Sequence, residues 1–293
     1  MNRSKIYDLV MLCAAAAIAA PAQTFTTFLS FTGANGANPF SSLVQGTDGN
    51  IYGTTGNGGE HGFGTFFKIT PAGALTTLYN FGADGLYPSG GVILATDGNF
   101  YGMTHNSVSS ECEDRGCGTI YKITPSGALT TLHRFAGPDG SFPSGGLLQA
   151  ANGDLYGLAS SGGTEGHGVA FSITTAGTFF TLLHSFAGPP GDGAEPLGSL
   201  VQATNNGLYG TTYSGGSGTN CSGGCGTVFQ LTPAGSLSTI YTFNETDGKY
   251  PAAGLVQASN GGLFGTTVYG GANGDGTVFQ IFTSGTLYTA SMA

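Results

Sequence analysis

Positive charge is scarce in this chain. Lys and Arg together number 7 among 293 residues, whereas Asp and Glu number 16, and the formal net charge is −9. Proteins that bind nucleic acid or anionic lipid present a basic surface, because their partners are polyanions. The sequence therefore argues against nucleic acid as a partner.

Long apolar runs and helical periodicity are also missing from most of the chain. The one sustained apolar run, residues 9–20, is shorter than the roughly 20 residues of a membrane span. It follows Arg3 and Lys5 and ends at Ala20-Pro21-Ala22, a small-x-small pattern typical of signal cleavage. We expect residues 1–22 to be a secretory signal peptide, with a membrane anchor as the alternative. Residues 23–293 are expected to form a single secreted or cell-surface domain of bacterial type, without a membrane span.

Cysteine is limited to five residues, and Cys13 lies within the expected signal peptide. The other four form two local pairs, Cys112 with Cys117 and Cys221 with Cys225, each just before a Gly-Thr strand start. In an exported protein this spacing predicts two small-loop disulfides. Zinc binding is the competing interpretation, but the flanking residues offer no His at ligand spacing.

Glycine, in contrast, is abundant, with 54 residues beside 20 Phe and 13 Tyr. Disordered chains are poor in aromatics, so this composition indicates a folded chain punctuated by glycine. An aromatic followed by Gly marks five copies of one pattern, at Tyr52, Tyr101, Tyr156, Tyr209 and Phe264. Self-similarity with a period of about 50 residues predicts one supersecondary unit repeated along the chain.

Each copy contains four strand-like segments separated by turn residues. In the first copy these segments are residues 42–45, 51–55, 64–70 and 75–81, and the third alternates apolar with polar residues. Asp-Gly and Asn-Gly pairs between the first two segments predict type I′ hairpin turns. Four antiparallel strands per repeat are typical of a β-propeller blade, and a β-solenoid is the alternative.

The two ends of the repeat array suggest how the fold closes. Residues 25–31 resemble a fourth strand with no first three before it, and the final fourth strand, residues 286–293, is degraded. We therefore predict an all-β, five-bladed β-propeller of four-stranded antiparallel blades. The N-terminal strand would complete the last blade and close the ring, which removes two exposed sheet edges. Truncation of a longer array is the rival account.

At this point a family resemblance is visible. Gly-Thr-Val-Phe-Gln-Leu-Thr-Pro-x-Gly-x-Leu-x-Thr-x-Tyr-x-Phe (residues 226–243) and Asp-Gly-Asn-x-Tyr-Gly-x-Thr (residues 48–55) resemble the GloVer tandem repeat of exported bacterial proteins. The resemblance extends over residues 24–290. It implies secretion, and it brings no established activity and no catalytic residues.

The sequence offers little catalytic chemistry. Propellers that cleave glycosides place carboxylates on their innermost strands, whereas the first strands here supply Leu, Val, Ile and Gln. His133 and His184 stand where other copies have Tyr79 and Tyr241, so they are expected to replace aromatic residues. The Asp-Gly-Asn turns lack the alternating oxygen pattern of a calcium loop. We expect no catalytic residue, no metal and no cofactor.

The best candidate site is the connection from the fourth strand of one repeat to the first strand of the next. It repeats Asp or Asn, Gly, two variable residues and usually Pro, with an aromatic before the Pro in three copies. The candidate ligand-binding residues are Asp84, Tyr87, Asp139, Phe142, Asp192, Asp247 and Tyr250. A carboxylate beside an aromatic ring suits a sugar, and several copies would give avidity on a polymer. The alternative is a structural turn with an apolar plug between blades.

These observations together favour a non-catalytic binding or interaction module whose ligand is a glycan or a cell-surface protein. One alternative is a carbohydrate- or lactone-active enzyme with its site in the central funnel. A second alternative is a purely structural surface repeat protein.

Overall fold

The computed structural model describes residues 27–83, 85–107, 117–218, 220–283 and 287–290, the last of these by backbone alone. Two compact units are present, one ending at Ser30 and the other beginning at Phe31. In the first unit, residues 27–30 form neither helix nor strand. All the strands lie in the second unit, and no described helix could cross a membrane.

Five four-stranded antiparallel sheets follow one another along the chain, each built from the strands of one repeat in chain order. The first sheet contains β1 (Val44–Gln45), β2 (Ile51–Thr55), β3 (Thr65–Ile69) and β4 (Leu75–Asn80). The second contains β5 (Leu86–Leu94), β6 (Phe100–Asn106), β7 (Thr119–Ile123) and β8 (Leu129–Arg134). The third contains β9 (Ser141–Gln149), β10 (Leu155–Ser161), β11 (Val169–Ile173) and β12 (Phe180–Ser185).

The fourth sheet has one addition. Its four strands are β14 (Val201–Gln202), β15 (Leu208–Thr212), β17 (Thr227–Leu231) and β18 (Leu237–Thr242), and beside it β13 (Gly193–Ala194) pairs with β16 (Ser214–Gly215). The fifth sheet contains β19 (Val256–Gln257), β20 (Leu263–Thr267), β21 (Thr277–Ile281) and β22 (Leu287–Ala290). The predicted all-β fold of four-stranded antiparallel units is therefore confirmed.

The hairpin turns between first and second strands differ from the predicted type I′ geometry. In the second sheet the Gly98 N–H donates to the Ala95 carbonyl at 3.0 Å, which makes Thr96 and Asp97 the central residues. Of this turn only Gly98 has a positive φ, at 78°. This is the three-residue hairpin loop in which a glycine in the left-handed region follows an ordinary turn.

Every described sheet junction uses the same two faces. We call the face that carries Tyr52 and Phe66 in the first sheet the forward face, and the opposite face the backward face. The forward face of the first sheet packs on the backward face of the second, where Phe100 and Tyr121 lie. The equivalent clusters join the second to the third, the third to the fourth and the fourth to the fifth sheet. Large side chains alternate between the two faces of the central strands. Consecutive sheets therefore pack on one another through these side chains, from the first sheet to the fifth.

In the first four sheets, a phenylalanine after the fourth strand strengthens the junction with the next sheet. It leaves its own sheet and meets an aromatic ring on the backward face of the next sheet, edge to face. The ring centroids of Phe81 and Tyr121 are 5.2 Å apart, those of Phe135 and Phe171 5.3 Å, those of Phe186 and Phe229 5.3 Å, and those of Phe243 and Phe279 5.1 Å. Such contacts add about 0.5–1.5 kcal/mol to the burial of the rings themselves.

Glutamine side chains connect the hairpin turns to the following sheet. Gln149 Oε1 accepts the Thr96 N–H at 2.9 Å, so a residue of the third sheet caps a turn of the second. The same bond runs from Ala151 N to Gln202 Oε1 at 2.9 Å and from Thr204 N to Gln257 Oε1 at 3.0 Å. The glutamine at the end of each of these first strands therefore links two neighbouring sheets through an uncharged side chain.

The first strands approach one another through small residues. Ser89 Oγ donates to the Pro143 carbonyl at 3.0 Å, and Ser144 Oγ donates to the Pro196 carbonyl at 2.7 Å. A Cβ added at Gly90 would lie 1.3 Å from the carbonyl oxygen of Gly145. Backbone therefore lies directly on backbone where the second and third sheets meet.

The described residues do not show the predicted exchange of the N-terminal strand. Residues 27–32 form no strand, residues 25 and 26 lie outside the described residues, and the fourth strand of the fifth sheet is β22. β22 follows β21 after a short connection, so this pairing costs less loop-closure entropy than one with the distant N-terminus.

Candidate functional site

The residue before each connection proline has an unusual backbone conformation. Its φ is positive although it is not glycine, which is uncommon for side chains of this size. The values are 56° at Asn38, 58° at Tyr87, 53° at Phe142, 56° at Glu195 and 60° at Tyr250. Such a conformation costs on the order of 1–3 kcal/mol, so the surrounding contacts must hold it. Because it recurs in every copy, it belongs to the repeat and not to one site.

A backbone hydrogen bond to the preceding sheet holds this conformation. The Tyr87 N–H donates to the Phe63 carbonyl at 3.0 Å, and the Phe142 N–H donates to the Cys117 carbonyl at 2.9 Å. The Tyr250 N–H donates to the Cys225 carbonyl at 2.9 Å. The bond directs each side chain of this position toward the junction with the preceding sheet.

At two junctions a second ring covers the aromatic before the proline. His105 stacks on Phe142 with centroids 5.0 Å apart and an interplanar angle of 27°. Tyr213 stacks on Tyr250 with centroids 4.8 Å apart and an angle of 15°. His105 and Tyr213 hold the same place in their repeats, near the end of the second strand.

The first junction differs because glycine holds that place. Gly56 offers no ring to cover Tyr87, which is 37 % exposed, and Phe40 nearby is 80 % exposed. The result is an open depression of about 380 Å³, which we call the Tyr87 depression. The side chains that line it include Phe40, Ser41, Thr54, Asn57, Tyr87 and His105.

The polar groups of the Tyr87 depression are hydroxyls, an amide and an imidazole. Ser41 Oγ lies 2.9 Å from Thr54 Oγ1, so these two hydroxyls form one hydrogen-bonded pair. His105 Nδ1 lies 2.5 Å from Asn106 Oδ1, and the Nε2 atom is the other polar atom of this ring. Together with two aromatic rings, these groups can stack against a ring-shaped polar molecule and exchange hydrogen bonds with its substituents.

The predicted carboxylates lie elsewhere in the connection and have partners from the fourth strand of their own repeat. Asp139 Oδ2 lies 2.8 Å from His133 Nε2, and Asp192 Oδ2 lies 2.8 Å from His184 Nε2. Asp247 accepts the hydroxyl of Tyr241. Asp139 and Asp247 thus contact the fourth strand of the preceding sheet, whereas the rings of Phe142 and Tyr250 contact the end of its second strand. Asp84 lies outside the described residues.

His133 and His184 therefore act as hydrogen-bond partners for the connection, at the position where the fourth repeat has Tyr241. Among the described residues, no three His, Cys, Asp or Glu side chains form a group that could hold a metal ion.

One predicted disulfide is confirmed. Cys221 and Cys225 are bonded, with their Cα atoms 5.2 Å apart. Cys117 is also disulfide-bonded, and Cys112 lies outside the described residues.

The hydrogen bonds of the Asp139 carboxylate should contribute to the stability of the fold in a pH-dependent way. Burial raises the pKa of the Asp139 carboxyl, but hydrogen bonds from His133 and the Ala136 N–H outweigh burial, so the pKa lies below its ordinary value of 3.8. A carboxyl with a lowered folded-state pKa stabilises the fold above the unfolded-state value, and this contribution is lost as the pH falls below 3.8.

We therefore expect Asp139→Ala to lower the free energy of unfolding at pH 7 by about 1.5–3 kcal/mol, because a partly buried charged hydrogen-bond group is removed. The difference from the unsubstituted protein should shrink below pH 3.8, as denaturant unfolding at several pH values would show. Asp275→Ala is the control, since Asp275 is exposed, and it should have no such effect. A pH-independent loss in Asp139→Ala would contradict this account.

Fold and site define a class: a propeller-like all-β repeat protein whose sheet junctions carry exposed or stacked aromatic rings. Within this class, the chain belongs to the Gloeobacter/Verrucomicrobia repeat family, whose sequence profile matches residues 17–112 and 107–292. The resemblance to the GloVer repeat is thereby confirmed. No curated protein matches the sequence at a significant level.

Solved structures with similar folds have little sequence in common with the chain. A nidogen–laminin complex contains a chain with a TM-score of 0.52 and 12 % identity, and the match covers 82 % of this chain and 78 % of that one. A gluconolactonase from Xanthomonas campestris has a TM-score of 0.53 and 14 % identity, with coverage of 88 % and 77 %. At these identities the likeness concerns the fold alone.

Proposed function

We propose that this protein is a non-catalytic glycan-binding module and that one sugar ring of its ligand stacks on Tyr87. One observation carries the proposal. The Tyr87 ring is uncovered at the place where His105 covers Phe142 and Tyr213 covers Tyr250. A flat ring lies against the aromatic at each of those two junctions, so the same space at the first junction suits a ring supplied by a ligand.

The chemistry around Tyr87 favours a sugar over other ring-shaped ligands. The Tyr87 ring can pack against the apolar face of a pyranose, while the hydroxyl, amide and imidazole groups form hydrogen bonds with the sugar hydroxyls. Among the described residues, no carboxylate, lysine or arginine side chain lines the depression, so this part of the site has no fixed charge with which to select an ion. A volume of about 380 Å³ is within the range of small-molecule sites, about 300–1,000 Å³.

The proposed setting is outside the cell. A signal-like segment at residues 1–22, the Cys221–Cys225 disulfide and the family resemblance support export. In this proposal residues 23–293 act as one domain, and the glycan belongs to a cell surface or to an extracellular polymer. A surface-protein ligand is the alternative that the binding experiment separates.

We also propose that the sheets lie in a ring, as in a propeller. Four equivalent junctions between consecutive sheets support this arrangement. The five-bladed closure predicted from the sequence requires in addition that the first and fifth sheets pack directly on each other.

Binding of residues 23–293 to a glycan array tests the function. Tyr87→Ala should weaken binding of any recognised glycan about tenfold, since about 1.4 kcal/mol of stacking is lost. Gly56→His should weaken it as strongly, because the new ring would stack on Tyr87 as His105 does on Phe142. A Cβ at Gly56 meets mainly the ring of the exposed Phe40, at 3.0 Å, which can move aside.

Tyr250→Ala is the matched control. Tyr213 covers Tyr250, so this substitution should leave glycan binding unchanged. Asp139→Ala combined with Asp247→Ala tests the acids as a second binding element, and weaker binding would support their contact with sugar hydroxyls. Binding that survives both Tyr87→Ala and Gly56→His would overturn the Tyr87 site, and an array without any bound glycan would count against the function.

A further inference from the structure

The Tyr87 depression has a second aromatic wall, the ring of Phe40. Phe40 directly follows the proline of the first connection, and its ring is 80 % exposed. The residues at this place in the later repeats are Ser89, Ser144, Leu197 and Ala252. An aromatic residue therefore stands at this place in the first repeat alone.

The two rings lie on separate parts of the wall. The Phe40 ring lies against Gly56, since its Cδ2 atom would be 3.0 Å from a Cβ added there. Tyr87 comes from the second repeat, and among the described residues only Phe63 contacts its ring, edge to face, with centroids 5.6 Å apart and an angle of 83°. Phe40 and Tyr87 thus line one depression without contact between their rings. Each ring can pack against a different part of a ligand.

The exchange of serine for Phe40 also removes a hydrogen bond that later junctions contain. Ser89 Oγ donates to the Pro143 carbonyl at 3.0 Å, and the next junction repeats this bond at 2.7 Å. At the first junction the corresponding carbonyl belongs to Pro88, which lines the depression, and Phe40 has no hydroxyl to donate. Because a carbonyl oxygen has two lone pairs, the Pro88 carbonyl can accept a hydrogen bond from a ligand hydroxyl instead.

Two departures from the repeat pattern therefore meet at one site. Gly56 leaves the Tyr87 ring uncovered, and Phe40 adds a second exposed ring. Single exposed apolar side chains are common on protein surfaces, whereas neighbouring ones around a depression mark ligand sites. Both departures enlarge the contact surface for a ligand, and neither fills space in the core.

We propose that the depression binds two consecutive residues of a neutral glycan chain, one against Tyr87 and the next against Phe40. This inference rests on the sugar site proposed above and defines its ligand class as an oligosaccharide or a polysaccharide segment. One hydroxyl of the chain donates to the Pro88 carbonyl, in the place of the serine hydroxyl of later junctions. Phe40 is the residue that makes the site select for chain length.

The lining of the depression favours a neutral chain. Its described side chains include no Asp, Glu, Lys or Arg, so a chain of uronic acids would gain no ion pair there. The high exposure of Phe40 places this ring at the rim of the depression. A glycan chain can therefore continue into solvent beyond Phe40, and the site does not require a chain end.

The dependence of affinity on chain length tests this proposal. The probes are glucose, galactose, mannose and N-acetylglucosamine, each with its β-1,4-linked di-, tri- and tetrasaccharide, titrated into the full-length protein. For a sugar that binds, the disaccharide should bind about tenfold more tightly than the monosaccharide, because it adds one stacking contact. Longer chains should bind about as tightly as the disaccharide, since no third Phe or Tyr of the described residues lines the depression.

Three substitutions of Phe40 separate its two effects. Phe40→Ala should reduce the preference for the disaccharide to less than about twofold, and Phe40→Tyr should retain it. Phe40→Ser should lose the preference and also bind the disaccharide about two- to tenfold more weakly than Phe40→Ala does, because the serine hydroxyl donates to the Pro88 carbonyl. Phe179→Ala is the control, since it removes a phenylalanine of the third repeat that is 72 % exposed, and it should leave the preference unchanged.

The outcomes distinguish this inference from the function on which it rests. If Tyr87→Ala leaves binding of the disaccharide unchanged, the sugar site itself is wrong. If Tyr87→Ala weakens binding about tenfold but Phe40→Ala keeps the preference for the disaccharide, the sugar site stands and the two-residue site is overturned. Equal affinity of the unsubstituted protein for monosaccharide and disaccharide, or no binding of any probe, would likewise overturn it. Thermal unfolding should be the same for all Phe40 variants, because this ring is exposed.

Discussion

Gly90→Ala is expected to lower the free energy of unfolding by at least about 4 kcal/mol, at the upper end of single-substitution effects. Gly90 has a φ of 67°, where an L side chain is strained, and its Cβ would lie 1.3 Å from the Gly145 carbonyl oxygen. Neither side of this contact can yield easily, because both are backbone. The second and third sheets would have to separate, which would expose the cluster that includes Tyr101 and Phe171.

Gly98→Ala is the control for backbone strain alone. Gly98 has a similar φ of 78°, but no atom lies within 4 Å of its Cβ position. The left-handed conformation costs an alanine about 1–2 kcal/mol, so this variant should stay folded with a modest loss. Thermal and denaturant unfolding followed by circular dichroism compare the two. Equal losses would mean that the backbone contact between the first strands contributes nothing of its own.

Phe186→Ala is expected to cost about 3–5 kcal/mol, the range for removing a buried aromatic side chain from a core. Phe186 is 0 % exposed and bridges two sheets, with its centroid 4.9 Å from His184 and 5.3 Å from Phe229. Its removal leaves a cavity in the junction between the third and fourth sheets. Denaturant unfolding should show a lower midpoint.

Phe179→Ala is the matched control, since Phe179 lies in the same repeat and is 72 % exposed. Its substitution should change the free energy of unfolding by no more than about 0.5 kcal/mol. If both variants lost the same stability, the bridging phenylalanine would not be what holds the two sheets together.

The strands and their grouping could be predicted from the sequence because they depend on local order. The alternation in Thr227-Val228-Phe229-Gln230 places Val228 on one face and Phe229 on the other, as the structure has them. The turn residues around Gly98 marked the hairpin correctly, although the sequence did not show that its central residues precede the glycine. Cys221 and Cys225 were predictable as a pair because they lie only four positions apart in the sequence.

The Tyr87 depression could not be predicted, because it depends on what another sheet places over Tyr87. The sequence does carry a signal: Gly56 stands at the position that His105 and Tyr213 hold in other copies. The sequence alone does not show that this position faces the residue before the proline, so the meaning of Gly56 depends on the structure. The pairing of β22 was not predicted, because residues 286–293 match the strand pattern of the other repeats poorly. A strand close in sequence nevertheless costs less loop-closure entropy than the distant N-terminal strand.

The glutamine bridges of Gln149, Gln202 and Gln257 have a consequence for the conditions that the protein tolerates. They join neighbouring sheets through amide groups, which carry no charge and do not titrate between acid and alkaline media. Ionic strength weakens attraction between exposed ions but leaves such bonds almost untouched. These three bonds between the sheets are thus largely independent of salt, which would suit the extracellular setting proposed above.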